Sequence, residues 1–357
     1  MENSQIPNIQ EAITKTTRRI SAVKLALIFL VLGGAVIFVG FILGGGNNYI
    51  YWHNGIQVRA QSESARDSYD INVQISNTVR HIDLRNTSAS VRIVETNDSQ
   101  VTVSTRNIPA PEITESNGVL TITTGTANNF NIGFLGIRQR ESGRRGASWG
   151  FDSFTSMTRE VIIYVPSGRD LQTLRVRTTS GNVNISSING EALYVDISSG
   201  NLRMEAVDFD NVELATTSGN INLSNVNGTN LTASQRSGNF NFDGGSFANV
   251  DIMGTSGNVV YDGIITNAIY ATRNSGRITV TNANTVGNHV TLSTTSGNIS
   301  YNSGAVWHMY TYTIRVTSGN INVDSQRISG RNVNGGSGAN DIDINARSGN
   351  VRLDFSR

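Results

Sequence analysis

Residues 180–198, SGNVNISSINGEALYVDIS, form one copy of a unit that recurs through the second half of this 357-residue chain. Each copy begins with Ser-Gly-Asn, or in one case with Ser-Gly-Arg. The first six copies follow one another with a period of 19, and the last three follow at spacings of 21, 22 and 30. A fixed period of about 20 residues is typical of a solenoid, in which each repeat stacks on the next. The copies begin at Ser180, Ser199, Ser218, Ser237, Ser256, Ser275, Ser296, Ser318 and Ser348.

The residues that follow each tripeptide alternate between apolar and polar. In the first copy the apolar positions are Val183 and Ile185, and a second alternating run covers residues 193–197. Alternation with a period of two in short runs rich in β-branched residues predicts strands with one buried face. Each period is therefore predicted to hold two short strands and two turns.

Glycine in the tripeptide fits a turn that requires a positive φ, and asparagine tolerates the same backbone region. The pairs Asn189-Gly190 and Asn227-Gly228 are predicted to mark the second turn of their periods. The glycines assigned to structural turns of the repeat are Gly181, Gly200, Gly219, Gly238, Gly257, Gly276, Gly297, Gly319 and Gly349.

A single coil of this kind cannot bury its apolar face alone, whereas stacked coils can. We therefore expect an all-β protein, a parallel β-solenoid with coils of about 19 residues and like residues stacked through its interior. Because crossovers between parallel strands are almost always right-handed, a right-handed coil is expected. A β-sandwich with coincidental spacing is the alternative, and nine copies of the motif argue against it.

The composition excludes several classes of function. Lysine and arginine number 28 against 27 aspartate and glutamate, so the net charge of +1 gives no electrostatic case for binding nucleic acid. Cysteine is absent, which excludes disulfides, thiolate catalysis and cysteine-ligated zinc. The only lysines are Lys15 and Lys24, both close to the N-terminus.

The N-terminal region is predicted to anchor the chain in a membrane. Residues 25–43, LALIFLVLGGAVIFVGFIL, contain no charged residue and are long enough to cross a hydrocarbon core of about 30 Å. Basic residues precede this run, so residues 1–24 are expected in the cytoplasm, residues 25–45 as a transmembrane helix, and the remainder outside. A cleaved signal peptide is the alternative. Residues 46–69 are expected to be a juxtamembrane linker whose aromatic residues lie at the membrane surface.

Residues 70–357 are assigned to the extracytoplasmic solenoid. Residues 70–177 are expected to form irregular first coils and a cap, and residues 178–357 the regular repeats. Nothing in the sequence caps the last strand, so self-association through the terminal coil or through the transmembrane helix is left open.

Residues 126–159 interrupt the pattern with a long stretch rich in arginine, glycine and aromatic residues. A segment of this length without regular structure is usually functional or disordered. Its arginine and aromatic side chains could grip an anionic or sugar ligand. The alternative is a surface insertion whose aromatic residues cover the end of the solenoid. The candidate ligand loop comprises Arg138, Arg140, Arg144, Arg145, Trp149 and Phe151.

Signals for catalysis or metal binding are weak. Residues 335–341, GGSGAND, resemble one unit of a calcium-binding β-roll, but that site needs tandem copies. The four histidines are isolated in sequence, and no serine lies in a nucleophile elbow. Polysaccharide cleavage would need a pair of carboxylates, which sequence alone cannot place. No catalytic residue, metal or cofactor is predicted. The carboxylates of the repeats are Asp196, Glu205, Asp208, Asp210, Glu213, Asp243, Asp251 and Asp262.

The repeated unit TTSGNINLSNVNG, residues 216–228, together with a single N-terminal span and a cysteine-free exterior, resembles the bacterial putative-adhesin family. That family carries a β-strand-repeat domain of unknown function, and the resemblance covers about residues 70–357. It implies a parallel β-solenoid on the outside of a bacterial membrane, and some relatives lie beside envelope-stress regulators. No catalytic residues come with the resemblance.

These observations favour a non-enzymatic, membrane-anchored surface module that binds a glycan, a wall polymer or a protein. The first alternative is an accessory or sensor of the bacterial envelope-stress response, in which residues 1–24 act inside the cell. The second is a polysaccharide-active β-helix enzyme. Binding of nucleic acid is not expected.

Overall fold

The computed structural model describes residues 48–52, 56–60, 71–76, 78–108, 111–125, 159–284 and 287–356. Residues 1–24 and the predicted transmembrane helix at residues 25–45 lie outside this part of the chain. Within the described ranges no helix combines the length and the apolar character that crossing a membrane requires.

Two strands form a small unit of their own. Strands β1 (Asn48–Trp52) and β2 (Ile56–Ala60) pair in antiparallel register, with Tyr49 opposite Arg59. Part of the expected juxtamembrane segment therefore forms a β-hairpin.

Every other strand in the described ranges belongs to one 23-stranded sheet. The one helical element among the described residues is a turn of 3₁₀ helix at Trp307–Met309. The strands of the sheet are β3 (Ile71–Gln74), β4 (His81–Asn86), β5 (Ser90–Thr96), β6 (Thr102–Arg106), β7 (Glu112–Ser116), β8 (Val119–Thr123), β9 (Glu160–Pro166), β10 (Asp170–Ser180), β11 (Val183–Ser186), β12 (Asn189–Ser199), β13 (Leu202–Ser218), β14 (Ile221–Ser237), β15 (Phe240–Ser256), β16 (Val259–Ser275), β17 (Ile278–Asn282), β18 (His289–Ser296), β19 (Ile299–Val306), β20 (Tyr310–Ser318), β21 (Ile321–Val323), β22 (Gln326–Ile328), β23 (Asn332–Gly336), β24 (Asn340–Ser348) and β25 (Val351–Ser356).

The sheet is a parallel β-solenoid, as the repeat predicts. In the middle of the molecule β12 pairs with β13, β13 with β14, β14 with β15 and β15 with β16, each in parallel. Most partners are one full period apart in the sequence, as Ser199 and Ser218 are. Residues that are equivalent in the repeat therefore stack directly on one another. This stacking satisfies the backbone groups of each coil with those of its two neighbours.

Each regular coil has three sides, one more than the sequence predicts. In the copy that starts at Ser180, the first side is residues 183–186, the second side is residues 188–190, and the third side is residues 192–197. The second side pairs with its neighbour through Asn189 opposite Asp208. It is too short to show an alternating pattern, which is why sequence reasoning overlooked it.

The corner at each tripeptide leaves no room for a side chain at glycine. The nine motif glycines have φ values between 103° and 151°. A Cβ on Gly219 would lie 1.8 Å from the carbonyl oxygen of Gly200 in the neighbouring coil. The motif asparagines join the coils, since the Oδ1 of Asn201 accepts the backbone N–H of Asn220 at 2.9 Å. Gly and Asn are thus required by contacts between coils as well as by the turn.

The second turn lies earlier in the repeat than predicted. Positive φ values occur at Ser187, Ala206 and Asn225, whereas Gly190 and Gly228 have ordinary extended backbones. A Cβ on Gly190 would lie 2.5 Å from the ring of Phe209 in the next coil. These glycines therefore make space for buried aromatic rings on the second side, and their assignment to a turn is wrong.

The interior of the solenoid is a continuous apolar core. On the first side the stacked residues Val183, Leu202, Ile221 and Phe240 are fully buried. Further along, the ring of Phe242 stacks on that of Tyr261 with 4.3 Å between centroids. Each such side chain contributes roughly 1.5–3 kcal/mol on burial, so these stacks supply most of the stability.

One interior column of the third side is polar. It runs through Thr216, Gln235, Gly254, Arg273 and Thr294, with neighbours in register. Arg273 is fully buried and donates to the side-chain Oε1 of Gln235 at 2.8 Å and to its backbone oxygen at 3.3 Å. The guanidinium passes over Gly254, where a Cβ would lie 1.5 Å from it. Burial lowers the pKa of Arg273 to about 10.

At both ends of the solenoid, the order of coils in space differs from their order in the chain. At the N-terminal end, β4 lies between β8 and β10, and β5 lies between β9 and β11. Residues 87–93, TSASVRI, are a degenerate copy of the repeat unit, and the structure stacks them on the first regular coil, with Val91 opposite Val183.

At the C-terminal end, β24 lies between β18 and β20, and β25 lies between β19 and β21. The motif serines stay in register, with Ser348 opposite both Ser296 and Ser318. This threading explains the two longest spacings of the motif, from Ser296 to Ser318 and from Ser318 to Ser348. The last coil is paired on both sides, so the expectation that it ends the solenoid as an open edge is wrong.

Antiparallel strands cover the outermost coils. At the N-terminal end β7 pairs with β8, β6 with β9, and β3 with β6. At the C-terminal end β22 pairs with β21 and β23 with β20. Edge strands that break the parallel stack prevent further coils from adding. The cap that the sequence did not reveal is therefore formed by residues 326–336.

Candidate ligand-binding surface

The candidate ligand loop falls almost entirely outside the described residues, which stop at Gly125 and resume at Arg159. Its six proposed contact residues are therefore not placed. The two ends of the insertion are close to one corner of the solenoid. The hydroxyl of Thr87 donates to the carbonyl of Thr124 at 3.1 Å, and the N–H of Ser90 donates to the carbonyl of Arg159 at 2.9 Å. The insertion thus leaves the outermost coil at the corner that the Ser-Gly-Asn turns occupy in the regular coils.

The outward surface of the third side carries basic, acidic, aromatic and small polar side chains. Every second residue of this side points to solvent because the strand alternates. We call this surface the third-side face and define it by two stacked columns of outward residues. The first column contains Arg175, Tyr194, Glu213, Thr232, Asp251 and Tyr270, and the second contains Arg177, Asp196, Ala215, Ser234, Met253 and Thr272.

A shallow groove of about 270 Å³ lies across the first coils of the third-side face. Arg175, Tyr194 and Glu213 follow one another along it, and Arg177 and Asp196 form its second row. The guanidinium of Arg175 lies 4.9 Å from the centre of the Tyr194 ring, in the geometry of a cation–π contact. The contact holds both side chains against the sheet, so the groove offers a fixed aromatic surface beside charges of both signs.

Farther along the same columns the surface is more apolar. Tyr270 and Met253 are about half exposed, at 51% and 48%. Asp251 lies in register with Tyr270 on the neighbouring strand, and desolvation raises the pKa of its carboxyl above the ordinary value. An aromatic side chain, a thioether and a partly desolvated carboxylate are therefore brought together on one open surface.

A row of asparagine side chains borders the third-side face. The Nδ2 of Asn230 donates to Asn211 at 2.8 Å, that of Asn249 to Asn230 at 2.9 Å, and that of Asn267 to Asn249 at 2.6 Å. The two middle amides, Asn230 and Asn249, each use one donor and one acceptor along the row and keep others for solvent or a ligand. Such a row presents hydrogen-bonding groups at the spacing of the coils, which suits an extended polymer.

The carboxylates that the sequence named fall on different surfaces. Asp196, Glu213 and Asp251 lie on the third-side face, whereas Glu205, Asp243 and Asp262 lie on the outward first side. Asp243 and Asp262 are in register on adjacent strands, so structure brings together one pair that sequence could not place. Both are exposed to solvent, whereas glycoside hydrolysis requires surroundings that separate an acid from a base.

The single calcium-like unit connects the cap to β24. Gly335 and Gly336 end β23, and the side chain of Asn340 donates to the carbonyl of Met309 at 3.0 Å. Asp341 is exposed with its carboxylate 3.6 Å from the imidazole of His289. No three histidine or acidic side chains gather at a possible metal site in the part of the chain that the structure describes.

The third-side face could have been found from the sequence. Writing the repeats under one another with a period of 19 places Arg175, Tyr194 and Glu213 in one column. The alternation of apolar residues shows which side chains are buried, and the outward residues between them are the ones that form the groove.

Comparison with known proteins places this architecture in a family. A family model described as "Toastrack DUF4097" matches residues 79–354, which is most of the chain. No curated protein matches.

Several solved structures are similar to this chain at low identity. A putative adhesin from Bacteroides fragilis is 11% identical, with 80% of this chain and 96% of that chain covered and a TM-score of 0.38. A putative adhesin from Parabacteroides merdae is 14% identical, with 79% and 95% covered and a TM-score of 0.41. A protein from Parabacteroides distasonis titled as a putative lipid binding protein is 10% identical, with 82% and 98% covered and a TM-score of 0.25.

The resemblance based on the Ser-Gly-Asn repeat is confirmed, since the family match spans the same coils. This chain belongs to the Toastrack DUF4097 family.

Proposed function

We propose that this protein is a non-enzymatic, membrane-anchored surface module that binds an extended envelope or matrix polymer on its third-side face. The observation that carries this proposal is the groove formed by Arg175, Tyr194 and Glu213 on three successive coils. A flat surface with an aromatic ring, guanidinium groups and carboxylates is suited to a sugar polymer or a peptide segment. A solenoid repeats such groups along its axis, so several weak contacts add along one ligand.

The interior supports a binding role over a role that needs a central cavity. The apolar stacks of the three sides fill the coil with fully buried side chains. The outward faces and the ends therefore carry whatever the protein does with other molecules. The printed names of the solved relatives, putative adhesins and a putative lipid binding protein, are consistent with recognition by such a surface.

The anchoring part of the proposal rests on sequence. Residues 25–45 span the cell membrane once, residues 1–24 lie in the cytoplasm, and the solenoid lies outside. Because the chain has no cysteine, single-cysteine variants test this arrangement directly. A membrane-impermeant maleimide should label Thr217→Cys in intact cells and should leave Ser4→Cys unlabelled until the cells are lysed. Labelling of both, or of neither, in intact cells would contradict the topology.

The binding part is tested with the purified full-length chain in nanodiscs against envelope polymers, matrix proteins and glycans. Saturable binding is expected for at least one extended polymer. Arg175→Ala and Tyr194→Ala should each weaken that binding at least tenfold, because each removes one half of the cation–π pair. Arg203→Ala is the matched control, since Arg203 is an exposed arginine on the first side. Equal losses from Arg175→Ala and Arg203→Ala would exclude the third-side face as the binding surface.

A further inference from the structure

A second groove lies at the N-terminal end of the solenoid, separate from the third-side face. It has a volume of about 460 Å³ and is lined by Arg80, Asp98, Ser99, Ser167, Gly168 and Arg169, among others. It forms where the chain leaves β9 and turns into β10. The groove is therefore a product of the swapped coil order at this end, and the regular coils have no equivalent.

The two arginines of this groove are held by reciprocal hydrogen bonds. The Nη1 of Arg80 donates to the carbonyl of Asp170 at 3.2 Å, and the Nη1 of Arg169 donates to the carbonyl of Val79 at 3.2 Å. Each guanidinium thus uses the backbone beside the other arginine as its support. The backbone is tied as well, since the N–H of Gln172 donates to the carbonyl of Arg80 at 2.9 Å. This arrangement fixes the side chains before any ligand arrives, which lowers the entropy cost of binding.

The electrostatics of the groove favour an anion. Burial, and after it the charge of Arg80, lowers the pKa of the Arg169 guanidinium. Two like charges held near one another raise the free energy of the empty groove, and an anion between them lowers it. The carboxylate of Asp98 lies in the same groove and accepts the hydroxyl of Thr96 at 3.2 Å, but the two guanidinium groups outnumber it and the lining carries a net charge of +1.

The remaining lining suits a ligand with several oxygen atoms. Ser99 and Ser167 are exposed and offer hydroxyl donors. Gly168 has a φ of 70°, and a Cβ there would meet nothing within 4 Å, so the backbone is open to a ligand. Two guanidinium groups and two hydroxyls provide more donors than the two oxygens of a carboxylate can accept, and they match the oxygens of a phosphate or a sulfate.

We propose that the groove between Arg80 and Arg169 binds a tetrahedral oxyanion, the phosphate or sulfate ester of an envelope or matrix polymer. This site is independent of the third-side face, so either proposal stands if the other fails. The geometry recognises the oxyanion and not the polymer that carries it.

The experiment measures binding of inorganic phosphate, inorganic sulfate and acetate to the purified full-length chain at constant ionic strength. Phosphate and sulfate should bind saturably, and acetate at least tenfold more weakly. Arg80→Gln and Arg169→Gln should each weaken oxyanion binding at least tenfold. Arg236→Gln is the matched control, an exposed arginine on β14, and it should leave binding unchanged. Absence of saturable binding, or binding that survives both groove substitutions, would overturn the proposal.

Because Arg169 also supports the backbone of Val79, thermal unfolding of each variant is measured in parallel. If Arg169→Gln does not fold, the oxyanion binding of Arg80→Gln tests the proposal, and the binding of Arg80→Lys adds a second measurement. Lysine keeps the charge but loses the planar fork, so its affinity should fall between those of the parent chain and Arg80→Gln. Equal binding by all three Arg80 forms would contradict the site. A glycerol phosphate oligomer and a sulfated disaccharide then distinguish the two sources of oxyanion.

Discussion

The middle coils and the two ends of this solenoid are built by different rules. From β12 to β16 the order in space is the order in the chain, and each residue pairs mostly with partners one full period away. At each end one coil is threaded between two others, and antiparallel strands cover the last coil. The repeat therefore forms the middle coils of the solenoid, and the strands that depart from the repeat cap its two ends.

The difference also separates stability from recognition. In the middle, nearly every recurring position of the repeat serves the contact between coils. Two features that could bind a ligand occur at the N-terminal end, where the chain departs from the 19-residue repeat. They are the oxyanion groove of Arg80 and Arg169 and the insertion at residues 126–159. On the middle coils, only the outward positions are free to vary, and those of the third side form the third-side face.

The largest expected effect comes from a glycine that the repeat requires. In Gly219→Ala the new Cβ would lie 1.8 Å from the Gly200 carbonyl at a φ of 141°. We expect a loss of at least about 4 kcal/mol in the free energy of unfolding, because neither backbone can move without breaking the stack. Gly168→Ala is the matched control at the N-terminal end, where φ is also positive but nothing lies within 4 Å.

The control should cost only about 1 kcal/mol, the strain of a non-glycine residue in the left-handed region. Urea denaturation of the full-length variants measures both. Similar losses at the two positions would show that backbone strain alone matters, and that the contact between coils does not.

These contacts explain which features could be predicted from sequence. The burial of Val183 and Ile185 could be predicted from the local alternation of apolar and polar residues. The first side, the third side and the parallel stack could therefore be predicted from the repeat. The pairing of Ser296 with Ser348 joins two distant copies of the motif, with another copy between them in the chain, and no local pattern records it. The groove beside Arg169 depends on that kind of long-range threading and was also missed. The second side was missed because three residues are too few to show an alternating pattern.

The second expected effect tests the polar column inside the middle coils. Gln235→Leu removes the side-chain acceptor of the buried Arg273 guanidinium. The buried guanidinium keeps the backbone oxygen of Gln235 as an acceptor but loses Oε1, and a buried charged donor left without its acceptor is destabilising, so we expect a loss of about 3 kcal/mol in the free energy of unfolding. Replacing both residues, as Gln235→Leu with Arg273→Met, should recover most of that loss, since buried polar pairs are often exchanged for apolar ones at little cost.

The double-mutant cycle from denaturant unfolding gives the coupling between the two side chains. A coupling near zero would mean that Arg273 is satisfied by other groups. A double variant as unstable as Gln235→Leu would mean that packing over Gly254, and not the charge, sets the cost.

A third effect compares two buried tyrosines, Tyr261 in the middle coils and Tyr301 near the C-terminal end. Burial is the largest cause that raises the pKa of each phenol well above its ordinary value. The unfolded chain releases these protons near pH 10, whereas the folded chain keeps them, so their contribution to stability is full below pH 10 and is lost as the pH rises above it. Tyr261→Phe should reduce the loss of stability between pH 10 and 11 by about 1 kcal/mol, because the phenol of the unfolded chain is already half ionised at pH 10.

The titration of Arg273 has the opposite effect on stability over the same pH range, because its pKa in the folded chain is lowered to about 10.

Tyr301→Phe should show the same reduction in the loss of stability as Tyr261→Phe if burial alone determines the effect. Denaturant unfolding at pH 9, 10 and 11 measures the slopes. An unchanged slope in Tyr261→Phe would show that its phenol titrates in the folded chain as in the unfolded one.

The smallest effect concerns the one break that the repeat contains, where Arg277 replaces the motif asparagine. The N–H of Arg277 still donates to the Oδ1 of Asn258 at 2.9 Å, but arginine has no acceptor to offer to the N–H of Asn298 in the next coil. Arg277→Asn should supply the missing acceptor and so continue the hydrogen bonds between motif asparagines into the coils at the C-terminal end. We expect this to add about 0.5–1 kcal/mol to the free energy of unfolding. Arg236→Asn, which removes the same charge from an exposed position outside the tripeptide motif, should leave the stability within about 0.5 kcal/mol. An equal gain in stability from both substitutions would attribute the effect to the lost charge. A gain from Arg277→Asn alone would show that hydrogen bonds between coils still limit the stability where the middle coils meet the C-terminal end.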